Sequence, residues 1–300
     1  MKILLLGAAG QLGRHLALVL PEYGQLVTSA RRPGPGIDRP CDLARRPTLE
    51  AQLDEIAPEV VINAAAWTDV DGAESRREEA LVMNRDVPGV LARWCARSGA
   101  RLIHYSTDYV FDGRRREPLK ETMETCPVNE YGASKRAGEE AILASGAGAL
   151  ILRTSWVFSV LPGNFFSAVF RRAREGQPLS VVDDQMGNPT WAGALARATG
   201  RCLERFPQSQ GPGLYHVSCR DAMSWFEFAR VAMQAAVDAG HLDQVPEIRS
   251  IASSQWPQAA ARPAWSVLDC SRFESGFDFE MPDVARSLDE CMATWSQYQC

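Results

Sequence analysis

Short unbroken apolar runs alternate with amphipathic stretches through the first half of the chain. The runs predict strands over 3–6, 26–29, 60–63, 102–106 and 149–153, and the stretches between them predict helices over 11–20, 48–56, 75–97 and 129–143. Each strand is a continuous apolar run rather than an alternation of apolar and polar residues. That is the pattern of strands buried on both faces, as in a parallel sheet with helices above and below. A doubly wound α/β architecture is therefore expected. Pro21 and Gly24 stop the first helix, and Pro88 predicts an interruption within 75–97, because proline blocks the turn before it. Beyond Thr154 the rhythm loosens: helices over 165–174, 193–205 and 225–239, strands over 179–182 and 214–217, and an irregular stretch over 246–263.

The first strand runs into Gly7-Ala-Ala-Gly10-Gln11-Leu12-Gly13, a glycine-punctuated turn that opens a helix. One glycine allows the tight turn, a second lets backbone amides approach phosphate, and a third lets the helix pack close to the sheet. A dinucleotide-binding (Rossmann) sheet is the reading. It divides the chain into a cofactor domain over 1–158, with a return segment over about 187–217, and a smaller substrate lobe over 159–186 and 218–300. An acid at the end of the second strand would favour NAD. The stretch there is Ser29-Ala30-Arg31-Arg32, and Arg31 suits the 2′-phosphate of NADPH, with NADH as the other possibility. Asp42 and Leu43 fit an adenine site, with a helix cap as the other reading of Asp42. Ala64, Ala65 and Ala66 bring backbone close to the carboxyl edge of the sheet, and Thr68 and Tyr105 join the same cofactor set.

Tyr131 and Lys135 stand one helical turn apart, and an ammonium so placed is expected to lower the pKa of the phenol. Ser106 and Thr107 end the fourth strand. They point to opposite faces while the strand stays regular, so only one of them can face a nicotinamide. His15, His104, His216 and His241 read as structural or exposed. The tryptophans read as core, except Trp156, which follows the fifth strand on the crevice side.

Composition narrows the classes further. The chain is 46% hydrophobic and 23% charged with a formal net charge of -5, which gives no reason to expect nucleic-acid binding. Its 8 cysteines form no Cys-x-x-Cys pair and no zinc spacing. With no signal segment and no apolar run of about 18 residues, a cytoplasmic protein with reduced thiols and no membrane contact is expected.

Longer strings point to a family: His104-Tyr-Ser-Thr-Asp-Tyr-Val-Phe-Asp-Gly113, Tyr131-Gly-Ala-Ser-Lys135, Arg153-Thr-Ser-Trp-Val157 and Asp184-Gln-Met-Gly-Asn-Pro-Thr190. With the glycine turn they make the chain resemble the extended short-chain dehydrogenase/reductase superfamily and, within it, the dTDP-4-dehydrorhamnose reductase family, nearly end to end. The resemblance implies hydride delivery from NAD(P)H to C4 of dTDP-4-dehydro-L-rhamnose, in the synthesis of dTDP-L-rhamnose for O-antigen or another glycan. It implies Tyr131 as proton donor, Lys135 on the nicotinamide ribose, and Thr107 rather than Ser106 on the ketone. Asp108 and Trp156 would line the sugar pocket beside Thr107 and Tyr131. Some members dimerise through glutamate-bound magnesium; His15 and Gly193 stand at those positions here, so no metal and a monomer or weak homodimer are expected. Two other readings stay open: another nucleotide-sugar epimerase or dehydratase, and a non-catalytic regulatory subunit of methionine adenosyltransferase. Tyr109 in place of a second acid counts against a dehydratase, and intact Thr107, Tyr131 and Lys135 count against a regulatory subunit.

Overall fold

The computed structural model describes residues 1–206 and 213–295. The middle of the expected return segment (207–212) and the end of the expected second lobe (296–300, with Cys300) lie outside the described residues. Seven parallel strands make the central sheet: β1 (Lys2–Leu6), β2 (Gln25–Ala30), β3 (Arg39–Pro40), β4 (Val60–Asn63), β5 (Arg101–Thr107), β6 (Ala149–Thr154) and, after four short strands given below, β11 (Gly213–His216). Their order is β11-β6-β5-β4-β1-β2-β3. The chain starts in the middle, winds outward through β2 and β3, then crosses back to β4 beside β1. That reversal opens a crevice at the carboxyl ends of β1 and β4, where sheets of this kind bind ligands.

Why the strands are apolar throughout is visible in the packing. Successive side chains point to opposite faces. Ile3, Leu5, Val60, Ile62, Ile103 and Leu150 enter one core, and Leu4, Leu6, Val61, Leu102 and Ile151 enter another. Both faces are covered by helices: α1 (Gln11–Val19), α2 (Arg46–Ile56), α3 (Val70–Ser75), α4 (Arg77–Leu81), α5 (Val87–Ser98), α6 (Glu130–Leu143), α7 (Phe165–Arg174) and α8 (Ala192–Glu204), followed later in the chain by α9 (Trp225–Asp238), α10 (Ser271–Phe277) and α11 (Val284–Ala293).

Two expectations are corrected. The helix over 75–97 is instead α3, α4, a π-helical segment (Val82–Asp86) and α5. The interruption expected before Pro88 is present as that π-helical segment: Pro88, in the first turn of α5, has no N–H to give to the turn before it. The stretch over 246–263 contains β13 (Ile248–Ile251), which pairs in parallel with β8 (Leu179–Val182). Arg249 and Ser250 are exposed and hide the strand from an apolar-run reading. The remaining short strands, β7 (Val157–Phe158) with β10 (Thr190–Trp191) and β9 (Met186–Gly187) with β12 (Met223–Ser224), are two residues long, too short to carry a periodic signal. α10 and α11 were likewise not anticipated. No helix among the described residues is long and apolar enough to cross a membrane.

Candidate active site

The glycine turn is built by close backbone contact. Gly7 has φ +82°, and a Cβ there would lie 2.7 Å from the Ala65 nitrogen. The N–H groups of Gly7 and Ala8 both donate to the Ser29 carbonyl, tying the turn to the end of β2. A Cβ on Gly13 would stand 2.1 Å from the Gly7 carbonyl oxygen, so α1 can lie on the turn only if residue 13 has no side chain. Gly10 caps α1 without a side-chain hydrogen bond, which leaves the first helical N–H groups to meet an anion. A bare cradle at a helix N-terminus fits the pyrophosphate of a dinucleotide.

This turn opens into a cavity of about 1130 Å³ at the crevice. Gly7, Gly10, Gln11, Leu12, Arg31, Asp42, Leu43, Ala64, Ala65, Ala66, Thr68 and Tyr105 line it, and so do Thr107, Asp108, Tyr131, Lys135 and Trp156. Gly13 does not; its place is behind the turn, in the contact with Gly7. Asp42 holds a local turn, accepting from the Ala44 N–H at 3.3 Å, while α2 is capped by Arg45. Ser106 and Thr107 both line the cavity although Thr107 is still extended, at φ −136° and ψ 152°, because the cavity spans the carboxyl end of β5 and takes in both faces of the strand. Their bonding separates them. Thr107 Oγ1 donates to Asp108 Oδ1 at 3.0 Å and accepts from the Tyr109 N–H, whereas Ser106 Oγ has no hydrogen-bond partner among the described residues.

Helix α6 carries Tyr131 and Lys135, and several contacts fix where it starts. Asn129 caps it, accepting from the Gly132 N–H at 2.7 Å, and donates to the Ala261 carbonyl. A Cβ on Gly132 would meet the Tyr109 carbonyl oxygen at 2.1 Å, so this glycine lets α6 press onto the end of β5. Asn84, in the π segment, clasps the backbone of Trp67 and donates to Ser134 Oγ at 2.9 Å. Farther along α6, Glu139 accepts two hydrogen bonds from Arg153 of β6, at 2.8 and 2.6 Å, with both side chains 4% exposed. Paired on both oxygens, the carboxylate and guanidinium tolerate burial that either alone would not.

The electrostatics of the site differ from the expectation at one point. Tyr131 is half-buried against the open cavity, yet its hydroxyl lies deep enough that burial pushes its pKa up to about 12. A hydrogen bond with Thr107 pulls that value down and the Asp108 charge pushes it up. Lys135 does not lower it: its ammonium is directed to the Tyr105 carbonyl at 2.6 Å, and the cost of desolvating a phenolate dominates. Lys135 itself is held down to about 8 by burial, with Glu139 acting in the opposite sense. Burial raises the Asp108 carboxyl to about 6, against hydrogen bonds from Ser266, Thr107 and Ser155. A protonated phenol, a threonine hydroxyl and a buried amine on one wall can donate hydrogen bonds to a carbonyl and a proton to the alkoxide formed from it.

At the far end of the cavity Trp156 takes a left-handed φ of +46°, uncommon for a bulky residue. Its indole stacks on Trp225 at 3.5 Å and 6°, and Phe165 packs on the same ring of Trp225 at 4.5 Å. Trp225 and Phe165 escaped sequence reasoning; their only signal was aromatic residues at the starts of two helices, which reads as core. His15 meets Trp191 edge-on, and the indole of Trp191 fills the space beside Gly193.

A model of the RmlD substrate binding domain family matches residues 1–297. The dTDP-4-dehydrorhamnose reductase of Burkholderia thailandensis is 41% identical over 299 residues, spanning 97% of this chain and 98% of the relative. The protein of the same name from Salmonella typhimurium is 35% identical, spanning 98% and 99%. Among solved structures, dTDP-4-dehydrorhamnose reductase from Bacillus anthracis in complex with NADP is similar with a TM-score of 0.88 at 30% identity, over 97% of this chain and 98% of that one. Matched from one end to the other in sequence and in fold, the chain belongs to the RmlD family, the oxidoreductase family of the dTDP-4-dehydrorhamnose reductases.

Proposed function

We propose that the protein reduces the C4 ketone of dTDP-4-dehydro-L-rhamnose to give dTDP-L-rhamnose, with NADPH as cofactor and NADH as a poorer substitute. The observation that carries this reading is one cavity in which the glycine turn and the Thr107–Tyr131–Lys135 wall meet. The turn at Gly7, Gly10, Gln11 and Leu12 would hold the pyrophosphate, with Gly13 supporting it from behind. Arg31 would meet the 2′-phosphate, Asp42 and Leu43 the adenine, and Ala64, Ala65, Ala66, Thr68 and Tyr105 the rest of the dinucleotide. The reduced nicotinamide supplies hydride to the ketone carbon when bound. Thr107, its hydroxyl proton turned from Asp108 to the substrate, hydrogen-bonds the ketone oxygen, and Tyr131 gives it a proton as it becomes an alkoxide. The proton moves downhill, since a secondary alkoxide is more basic than a phenolate even of pKa about 12. Lys135 would contact the nicotinamide ribose, and its ammonium, turned from the Tyr105 carbonyl, would bring positive charge toward the phenolate left behind. Asp108 and Trp156 line the sugar pocket.

The same reading divides the chain into a cofactor domain over 1–158 with the return segment and a sugar-nucleotide lobe over 159–186 and 218–300. It places the protein in the cytoplasm as a monomer or weak homodimer. The B. thailandensis and S. typhimurium relatives carry the name of this activity, and the B. anthracis structure contains NADP. The test is to supply purified protein with NADPH and dTDP-4-dehydro-L-rhamnose, follow nicotinamide absorbance, and identify the sugar product. Oxidation with formation of dTDP-L-rhamnose is expected. Tight NADPH binding without oxidation would overturn the reading.

A further inference from the structure

His104 is a buried titratable side chain beside the site to which the chemistry above assigns no task. It lies on β5 directly across from Asn63 of β4 and is 1% exposed. Its Nδ1 is 3.1 Å from Asn63 Nδ2, and its Nε2 is 3.4 Å from Lys135 Nζ. Donor and acceptor roles along this chain are fixed from one end. The Ala65 backbone N–H donates to Asn63 Oδ1 at 3.2 Å, and a backbone N–H cannot reverse its role. The amide oxygen is thereby assigned, its NH2 faces the ring, and Nδ1 must accept. A neutral imidazole carries one ring proton, which then sits on Nε2 and points at Lys135. The ring is neutral because burial and the lysine charge both hold His104 well below the usual histidine range.

An N–H aimed at an amine opposes its protonation, because an ammonium can only donate. The other ionisable neighbours of Lys135 are Glu139, one turn along α6 and bound to Arg153 of β6, and Tyr131, one turn before it. Glu139 favours the ammonium. The Tyr105 carbonyl accepts from Nζ on the β5 side. The imidazole N–H is the polar contact acting the other way.

We propose that Asn63 and His104 are positioning residues for Lys135: Asn63 holds His104 in its Nε2–H tautomer, and that N–H sets the protonation of the lysine on the cavity wall. The chain begins at Ala65, whose nitrogen lies against Gly7, and so connects the glycine turn to the lysine. The idea deepens the role given to Lys135 above, and only its kinetic arm rests on that role.

The first test is a long-range 15N–1H correlation spectrum of the full chain labelled on histidine, with His104 assigned by its loss in His104→Asn. The Nε2–H tautomer is expected through the neutral range. In Asn63→Asp, whose carboxylate accepts from both Ala65 and the ring, the signal should switch to the Nδ1–H pattern. An Nδ1–H tautomer or a charged ring in the wild type would overturn the proposal whatever the enzyme turns over. The second test is the pH profile of kcat. The ammonium is lost as pH rises through about 8, so activity should decline there. His104→Asn keeps an amide near Asn63 and withdraws the N–H from Nζ. It should move that decline upward by about one pH unit, roughly a tenfold gain relative to wild type on the alkaline side. A uniform loss of kcat with the decline unmoved would make His104 merely structural and sink the idea. Should His104→Asn not fold, Asn63→Asp must shift the decline in the same direction.

Discussion

Removing the Tyr131 hydroxyl separates proton donation from binding. Tyr131→Phe keeps the ring and its edge-on contact with Tyr109, at 6.0 Å and 78°. It deletes one oxygen, whose protein partner is Thr107. Thr107 keeps Asp108 at 3.0 Å, so no buried group is stranded, and the stability cost is about 1 kcal/mol or less. Against a total of roughly 5–15 kcal/mol the enzyme stays folded. The effect on rate is much larger. A positioned general acid contributes about 10²–10⁴-fold, equivalent to roughly 3–5 kcal/mol of barrier. With a pKa of about 12, Tyr131 is fully protonated across the neutral range, so the reduction should lose this factor evenly there. The assay is steady-state kcat at saturating substrates, with NADPH affinity measured separately by fluorescence titration. We expect kcat to fall at least a hundredfold and cofactor affinity to change by less than about threefold. A kcat within a few-fold of wild type would remove Tyr131 as the proton donor, and a parallel collapse of NADPH binding would make it a binding residue instead.

Other perturbations follow from the same geometry. Arg31→Ala should raise KM for NADPH by about tenfold more than KM for NADH, the worth of a charge-assisted contact to phosphate; equal effects would remove Arg31 from the 2′-phosphate. Gly13→Ala puts a methyl 2.1 Å from the Gly7 carbonyl, where no side chain can move aside, so NADPH affinity should drop by more than tenfold while an unchanged Kd would contradict the turn's role. Acid should destabilise the fold. His15, His104 and His216 are held neutral by burial, at about 4, well below normal, and about 3, so between their ordinary value of 6.5 and pH 4 the unfolded chain binds up to three more protons. Asp108, raised to about 6, binds one more in the folded state and acts in the opposite sense. The net two protons make stability fall by about 3 kcal/mol per pH unit through the middle of that window; flat urea midpoints there would refute the assignment.

The parts of this protein that depend on neighbours in the chain were legible in its sequence. The apolar runs at 3–6, 60–63 and 102–106 name strands buried on both faces, because alternation vanishes only when both faces are covered. Gly7 and Gly13 name the turn, because their steric demands are met within one strand–turn–helix unit. Tyr131 and Lys135 name themselves as a pair, because a helix sets their spacing. Other features needed the tertiary structure. β13 exists as a strand because β8 offers it an edge, despite Arg249 and Ser250. The phenol of Tyr131 sits at about 12, although its partner lysine is one turn away, because burial and the direction of Nζ toward the Tyr105 carbonyl are properties of the packed site. The Trp156–Trp225 stack joins residues far apart in the chain. His104 becomes informative only beside Asn63 and Lys135, which come from another strand and a helix. Local sterics and periodicity act over a few residues and are written in order along the chain, whereas desolvation and hydrogen-bond direction depend on which groups the fold brings together.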